Sequence, residues 1–208
     1  MKLVYFNGRG LAETTRVIFA VAGQEYEDFR YPLTVLDWST FKMIRDEFDN
    51  DKKAGKLKKS MDKLPRLEVD DQVIFQSKAI ERFLANKFGL MGNTPLEAAF
   101  IDSICETIRD FKDSYLKLKN TASENKNNVI QSYFSETLSP QLMLLNGIIT
   151  ARQVSNKNFT SKYVFGNIIS LADIVIFLFF TDFFDNKEQI LNLLQNFETL
   201  KTIVNNVG

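Results

Sequence analysis

The sequence contains no histidine. That absence excludes imidazole acid–base catalysis, Ser-His-Asp and Cys-His nucleophile systems, and every histidine-liganded metal centre. Cysteine occurs once, at Cys105, which excludes an internal disulfide, a CxxC redox pair and a cysteine-cluster metal site. With no base beside it in the sequence, Cys105 reads as a small apolar core residue. Net charge is also lacking, because 26 Lys and Arg balance 26 Asp and Glu. A chain without a basic excess does not suit nucleic acid as a partner. Long apolar runs are missing. The most apolar one, Ile174 to Phe180, is too short to span a bilayer and is interrupted by Asp182. Lys2 leads straight into a strand pattern with no apolar leader. Together these absences predict a cytoplasmic protein that engages neither membrane nor nucleic acid.

What is present is an ordinary globular composition, 208 residues of which 45% are hydrophobic, enough for one domain or two small ones. The N-terminal stretch organises the rest. Leu3 to Phe6 reads as a short strand, Gly8 and Gly10 as a turn, and Leu11, Val17, Ile18, Val21 and Ala22 recur at helical spacing. A strand that turns through glycines into a helix gathers backbone N–H groups at a helix N-terminus. Tyr5 stands at the C-terminal end of that strand, where open α/β sheets bind ligands. Periodicity alone makes Tyr5 a packed strand aromatic.

Gly23 stops the first helix, and Tyr26 to Tyr31 alternates as a second strand closed by Pro32. Asp37 is placed to cap a short helix through Trp38 and Phe41. The segment 43–63 carries six lysines among acidic residues and little periodicity, and reads as an exposed, solvated insertion. Arg66 to Val69 and Val73 to Phe75 form a hairpin around Asp70-Asp71, and Gln76-Ser77 opens a helix to Lys87. The order predicts a small α/β domain, residues 1–86, with about four strands. Residues 87–93 read as a linker. From residue 94 to 208 only helices are convincing. Thr94, Pro95 and Glu97 form a strong start for a helix to about Lys119. A second helix runs from Val129 to about Arg152, kinked or restarted at Pro140. Ser170 and Asp173 form a capping box before a helix apolar all round, and two short helices close the chain.

Six motifs in order carry a family resemblance: Lys2-Leu-Val-Tyr-Phe-Asn7, Gly8-Arg-Gly-Leu-Ala-Glu13, Leu64-Pro65, Leu67-Glu-Val-Asp70, Gln76-Ser77-x-Ala-Ile80, and Gly166-x3-Ser170-x2-Asp173. The chain resembles the cytosolic glutathione transferases, closest to the sigma class, which includes haematopoietic-type prostaglandin D synthases and the S-crystallins. The resemblance implies a thioredoxin-like N-terminal domain followed by an all-helical C-terminal domain, a homodimer, and glutathione as co-substrate without a metal. It implies conjugation of the glutathione thiolate to hydrophobic electrophiles, with peroxidase or isomerase side activity. A non-catalytic, crystallin-like binding protein on the same fold is the alternative.

The resemblance assigns Tyr5 to the sulfur. A hydroxyl donating to a thiolate stabilises the charged form, so no general base is required. It assigns Pro65 to a cis bond that presents the Leu64 backbone to the cysteinyl part of glutathione. Gln76 and Ser77 match the γ-glutamyl contacts, and Trp38 and Lys42 the glycyl carboxylate contacts. Asp110 matches the residue that reaches the γ-glutamyl amine held by the other subunit. Phe6, Gly8 and Leu11 fall on the hydrophobic-substrate side, with the Pro95–Lys119 helix. Read singly, Trp38 fits a core, Lys42 and Asp110 solvated charges, and Gln76-Ser77 an ordinary cap. Arg9 reads either as positive potential near the sulfur or as a partner of Glu13. Leu11 replaces the pocket arginine of prostaglandin D synthases and Arg109 an acidic residue of a cation site. Both departures argue against prostaglandin specificity and metal activation.

Overall fold

The computed structural model describes residues 1–37, 42–120, 126–155 and 161–208. The chain forms two compact units, Met1–Phe88 and Gly89–Gly208. In the first, strand β1 (Lys2–Phe6) passes through a 3₁₀ turn (Gly10–Ala12) into helix α1 (Glu13–Val21). β2 (Glu27–Tyr31) follows, then a pair of short strands, β3 (Thr34–Asp37) and β4 (Lys42–Ile44). Helix α2 (Asp46–Lys53) comes next, then the hairpin β5 (Arg66–Val69) and β6 (Gln72–Phe75), and helix α3 (Ser77–Lys87). The main sheet has the order β2-β1-β5-β6, with β1 parallel to β2 and antiparallel to β5. The Leu64–Pro65 peptide is cis.

Side chains on a strand alternate between sheet faces, yet Leu3 and Val4 are both buried. Both faces of β1 are therefore covered. α1 packs against α3, and α3 against β5 and β6. Val4 lies with Tyr31, Phe48 and Leu57 in a core cluster, joined by Phe6, Phe29 and Leu64. Phe48 and Leu57 come from the segment 43–63, so that segment is not the exposed loop its composition predicts. It contains α2 and a 3₁₀ turn (Lys58–Ser60), and it covers a sheet face. Asp46, Glu47 and Asp49 in the first turn of α2, and Lys52 and Lys53 in the last, suit the helix dipole. Tyr31 Oη donates to Asp51 at 2.8 Å, and Arg66 Nη1 to the Lys56 carbonyl at 3.0 Å. Burial and the Asp51 carboxylate push the Tyr31 phenol up to about 12.

Asp37, expected to cap a short helix, ends strand β3 and is paired in register with Lys42. Trp38 and Phe41, expected in that helix, lie outside the described residues.

The second unit is helical. α4 spans Pro95–Lys119; Thr94 Oγ1 accepts from the Glu97 N–H at 3.2 Å and Glu97 Oε2 accepts from the Asn93 N–H at 2.7 Å. α5 (Lys126–Ser132), a π-helical segment (Tyr133–Leu138) and α6 (Ser139–Ser155) follow as one interrupted run. The new segment begins at Ser139, one residue before Pro140, which has no N–H for the helical ladder. α7 (Leu171–Leu178) packs against α4 and against the last helix, α9 (Glu198–Val207), with α8 (Lys187–Leu194) between α7 and α9 in the chain. The capping box forms: Asp173 accepts from the Ser170 and Val164 N–H groups at 2.8 Å and from Ser170 Oγ at 2.6 Å. Burial nevertheless raises the Asp173 carboxyl to about 6. Phe111, Tyr115, Phe134, Phe179 and Phe184 make an aromatic centre of edge and tilted contacts. Each such buried ring contributes on the order of 1.5–3 kcal/mol. Cys105 is buried in this unit.

Candidate functional site

The strand register brings the candidates of the first unit together. Val4 faces Arg66 across β1 and β5, and Arg66 faces Phe75 across β5 and β6. Following the same registers beyond the ladder sets Tyr5 and Phe6, Leu64 and Pro65, and Gln76 and Ser77 at one end of three adjacent strands. Neighbouring strands lie about 4.8 Å apart, so the three positions span roughly 10 Å. That width suits an extended tripeptide.

Tyr5 is half-buried, on the opposite sheet face from Val4. Its Oη accepts the Leu11 N–H at 3.2 Å. A hydroxyl that accepts with a lone pair keeps its proton for another partner, and among the described residues no acceptor takes it. Gly10, at φ +42°, is what lets the ring lie here: a Cβ at residue 10 would sit 2.7 Å from Tyr5 Oη. Leu64 lies outside the β5 ladder, and among the described residues neither its N–H nor its carbonyl has a backbone partner. Such an edge can receive an added strand. Gln76 adopts φ 71°, a left-handed value that costs a non-glycine residue on the order of 1–3 kcal/mol. Its carbonyl accepts the Ile80 N–H at 3.0 Å, opening α3, and its own side chain does not cap that terminus. Ser77 is the first helical residue, where free N–H groups attract a carboxylate.

Not every candidate joins this group. Phe6 points to the Val4 face, where its ring packs 5.1 Å from Phe48 and 6.5 Å from Tyr31. It packs on the core cluster under the insertion, and its ring also meets the Tyr5 ring, with centroids 5.5 Å apart. Gly8 and Leu11 remain on the β1–α1 turn, and Leu11 is exposed. Arg9 pairs with Glu13 at 3.2 Å. Lys42 is exposed in the separate two-stranded sheet. Trp38 lies outside the described residues. Asp110 is exposed on α4 in the second unit, and Arg109 beside it pairs with Glu106. Among the described residues no group of three or more Cys, Asp or Glu is placed to hold a metal ion.

One buried charge beside the site escapes the sequence reading. Arg16, on α1, has a side chain only 9% exposed. Its Nη1 donates to the Gly8 carbonyl at 2.7 Å and the Arg9 carbonyl at 3.4 Å, and Nη2 to the Phe6 carbonyl at 3.4 Å. Glu13 at 3.3 Å and Asp28 at 3.1 Å balance its charge. A single arginine on a helix reads as a solvated charge. Its only sequence signal is Glu13 three residues earlier, the helical i,i+3 spacing.

A cavity of about 270 Å³ lies in the second unit, lined by Arg152, Gln153, Phe165 and Ile168 among others. It holds none of the candidate residues. No helix among the described residues is long and apolar enough to cross a membrane.

Residues 1–86 match the family model described as glutathione S-transferase, N-terminal domain. Glutathione S-transferase 1 of Ascaris suum is 34% identical over 179 residues, covering 84% of this chain and 76% of the relative. The human hematopoietic prostaglandin D synthase is 29% identical, covering 98% of this chain and 93% of that protein. Among solved structures, the monomeric Na-GST-3, a glutathione S-transferase of the hookworm Necator americanus, superposes with a TM-score of 0.72. It is 31% identical, over 99% of this chain and 90% of its own.

Proposed function

The chain belongs to the glutathione S-transferase family, and from that premise we propose how its own residues carry out glutathione transfer. The Tyr5 hydroxyl donates a hydrogen bond to the glutathione sulfur and so stabilises its thiolate. The observation that carries this reading is the Leu11 N–H on Tyr5 Oη, which leaves the phenolic proton directed elsewhere. A free thiol has a pKa of about 8.5, and each unit of lowering needs about 1.4 kcal/mol. One charge-assisted hydrogen bond contributes about 1.5–3 kcal/mol, enough for one to two units. The thiolate then attacks the electrophile, and no histidine is needed.

The Leu64 backbone pairs with the cysteinyl segment, as an added strand. Gln76, Ser77 and the N-terminus of α3 receive the γ-glutamyl carboxylate. Trp38 and Lys42 meet the glycyl carboxylate. The second substrate is an apolar electrophile received at Gly8 and Leu11, with isomerase or peroxidase turnover as side activity. Sigma-class affiliation is supported by the ordered motifs and by the prostaglandin D synthase relative.

The working form is a cytoplasmic homodimer in which Asp110 reaches the γ-glutamyl amine bound by the other copy. The outward face of α6 supports it: Met143, Leu144, Ile148 and Val154 are exposed and uncharged, a surface that suits a second copy. Sedimentation velocity tests this, and a monomer at micromolar concentration would remove the role of Asp110.

The test of the catalytic reading is Tyr5→Phe assayed with 1-chloro-2,4-dinitrobenzene at pH 6.5. Loss of the hydrogen bond is expected to lower kcat/KM by about 10- to 100-fold. Glutathione affinity, which rests on Leu64, Gln76 and Ser77, should change little. Undiminished turnover would reject the role of Tyr5. Tight glutathione binding by the unmodified protein, without turnover of any electrophile tried, would favour the crystallin-like alternative.

A further inference from the structure

We propose that Arg16 is a positioning residue for the sulfur chemistry: it fixes the β1–α1 turn so that the Leu11 N–H is delivered to Tyr5 Oη. The inference rests on the reading of Tyr5 as the group that stabilises the thiolate.

The argument starts from what the turn lacks. Residues 7–10 join a strand to a helix, and their carbonyls have few ladder partners. Asn7 is held on the β2 side, its N–H on the Tyr31 carbonyl at 2.9 Å and its Oδ1 under the Leu33 N–H at 2.9 Å. The carbonyls of Phe6, Gly8 and Arg9 instead converge on one guanidinium, that of Arg16. A guanidinium is planar, with five donors in a fixed fork, so it constrains several acceptors at once; an ammonium is a point charge and does not.

The Arg9 carbonyl is the link to Tyr5. It also accepts the Ala12 N–H at 3.2 Å, the bond that closes the 3₁₀ turn Gly10–Ala12. Leu11 is the middle residue of that turn, and its N–H is the one on Tyr5. The chain of contacts therefore runs from Arg16 to the Arg9 carbonyl, to the turn, to the Leu11 N–H, to the phenol. The Arg16 Cζ also lies 6.0 Å from the Tyr5 ring centroid, within reach of a cation–π contact.

Asp28 and Glu13 hold the guanidinium from the other side. Asp28 Oδ2 accepts from Arg16 Nε and, at 2.8 Å, from Arg30 Nε, while its Oδ1 is buried without a partner among the described residues. The fork is thus anchored by carboxylates on α1 and β2 and directed at the turn. Its charge is neutralised locally, so its effect on the sulfur passes through geometry. The same turn presents Leu11 to the second substrate.

The test uses Arg16→Lys, which keeps a cation between Glu13 and Asp28 but loses the fork. The pKa of the enzyme-bound glutathione thiol is read from thiolate absorbance near 240 nm across pH, beside kcat/KM. The expected result is a rise of the thiol pKa by about one unit, with kcat/KM at pH 6.5 down roughly tenfold. The deficit shrinks as pH passes the new pKa, and glutathione affinity stays within about threefold. The double variant Arg16→Met/Asp28→Asn removes the buried charge pair together and should show the same rise. In a Tyr5→Phe background Arg16→Lys should add no further shift, because both act on one contact. A pH profile that superimposes on that of the unmodified protein, with only the melting temperature lowered, overturns the inference. An undiminished shift in the Tyr5→Phe background also overturns it, since Arg16 would then act on the sulfur directly. If Tyr5→Phe alone leaves the thiol pKa unchanged, the reading of Tyr5 has failed, and the inference that rests on it falls with it.

Discussion

Gly10→Ala perturbs the candidate site with one methyl group, and its neighbour Gly8 supplies the control. Residue 10 sits at φ +42°, and an added Cβ would lie 2.7 Å from Tyr5 Oη and 3.3 Å from a ring carbon. The backbone cost of a left-handed alanine is about 1–2 kcal/mol. The steric cost is more specific. To restore ordinary contact at 3.4 Å, the phenol oxygen must retreat by about 0.7 Å. The ring has little freedom to do so, packed at 5.5 Å against Phe6 and bonded to the Leu11 N–H. A displacement approaching 1 Å of a group that acts by a single hydrogen bond costs up to about 100-fold. We therefore expect Gly10→Ala to lower kcat/KM with 1-chloro-2,4-dinitrobenzene by about 10- to 100-fold, and stability by about 1–2 kcal/mol in urea titration. At Gly8 nothing lies within 4 Å of an added Cβ and φ is not in the left-handed region, so Gly8→Ala should leave stability within about 0.5 kcal/mol. Gly10→Ala with unchanged turnover, or Gly8→Ala as destabilising as Gly10→Ala, would refute the placement of Tyr5.

Two further predictions concern the scaffold. Phe48→Ala removes the ring that anchors the 43–63 segment on Val4, Tyr31 and Phe6, and should cost about 3–5 kcal/mol in denaturant unfolding; a cost below about 1 kcal/mol would mean the segment is not packed on the sheet. Asp173, raised by burial to about 6 from 3.8, holds its proton more tightly folded than unfolded. Its contribution is therefore greatest below pH 4 and declines by about 3 kcal/mol as pH rises through 6. The stability difference between the protein and Asp173→Asn should follow that course across pH 4 to 7, and a flat difference would contradict it.

Much of this was legible in the sequence where pattern and chemistry agree. A short apolar run marks β1 and alternation marks β2, the Thr94-Pro95 and Ser170-Asp173 signals mark two helix starts, and all four elements form. The segment 43–63 was not legible because two apolar residues, Phe48 and Leu57, carry its packing amid charges that give no period. Phe6 is one residue from Tyr5, and with a strand period of two the pair cannot share a face. Arg16 was hidden for a different reason. Its acceptors are loop carbonyls, and every residue type has a carbonyl, so no pattern of side chains announces the contact.

The central claim is that Tyr5 lowers the pKa of the glutathione thiol. The most direct measurement is titration of the thiol bound to the unmodified protein and to Tyr5→Phe, followed by thiolate absorbance. The account predicts a bound pKa at least one unit below about 8.5, returning toward that value in Tyr5→Phe. A bound thiol that titrates like free glutathione, or a lowered pKa that survives Tyr5→Phe, would contradict it.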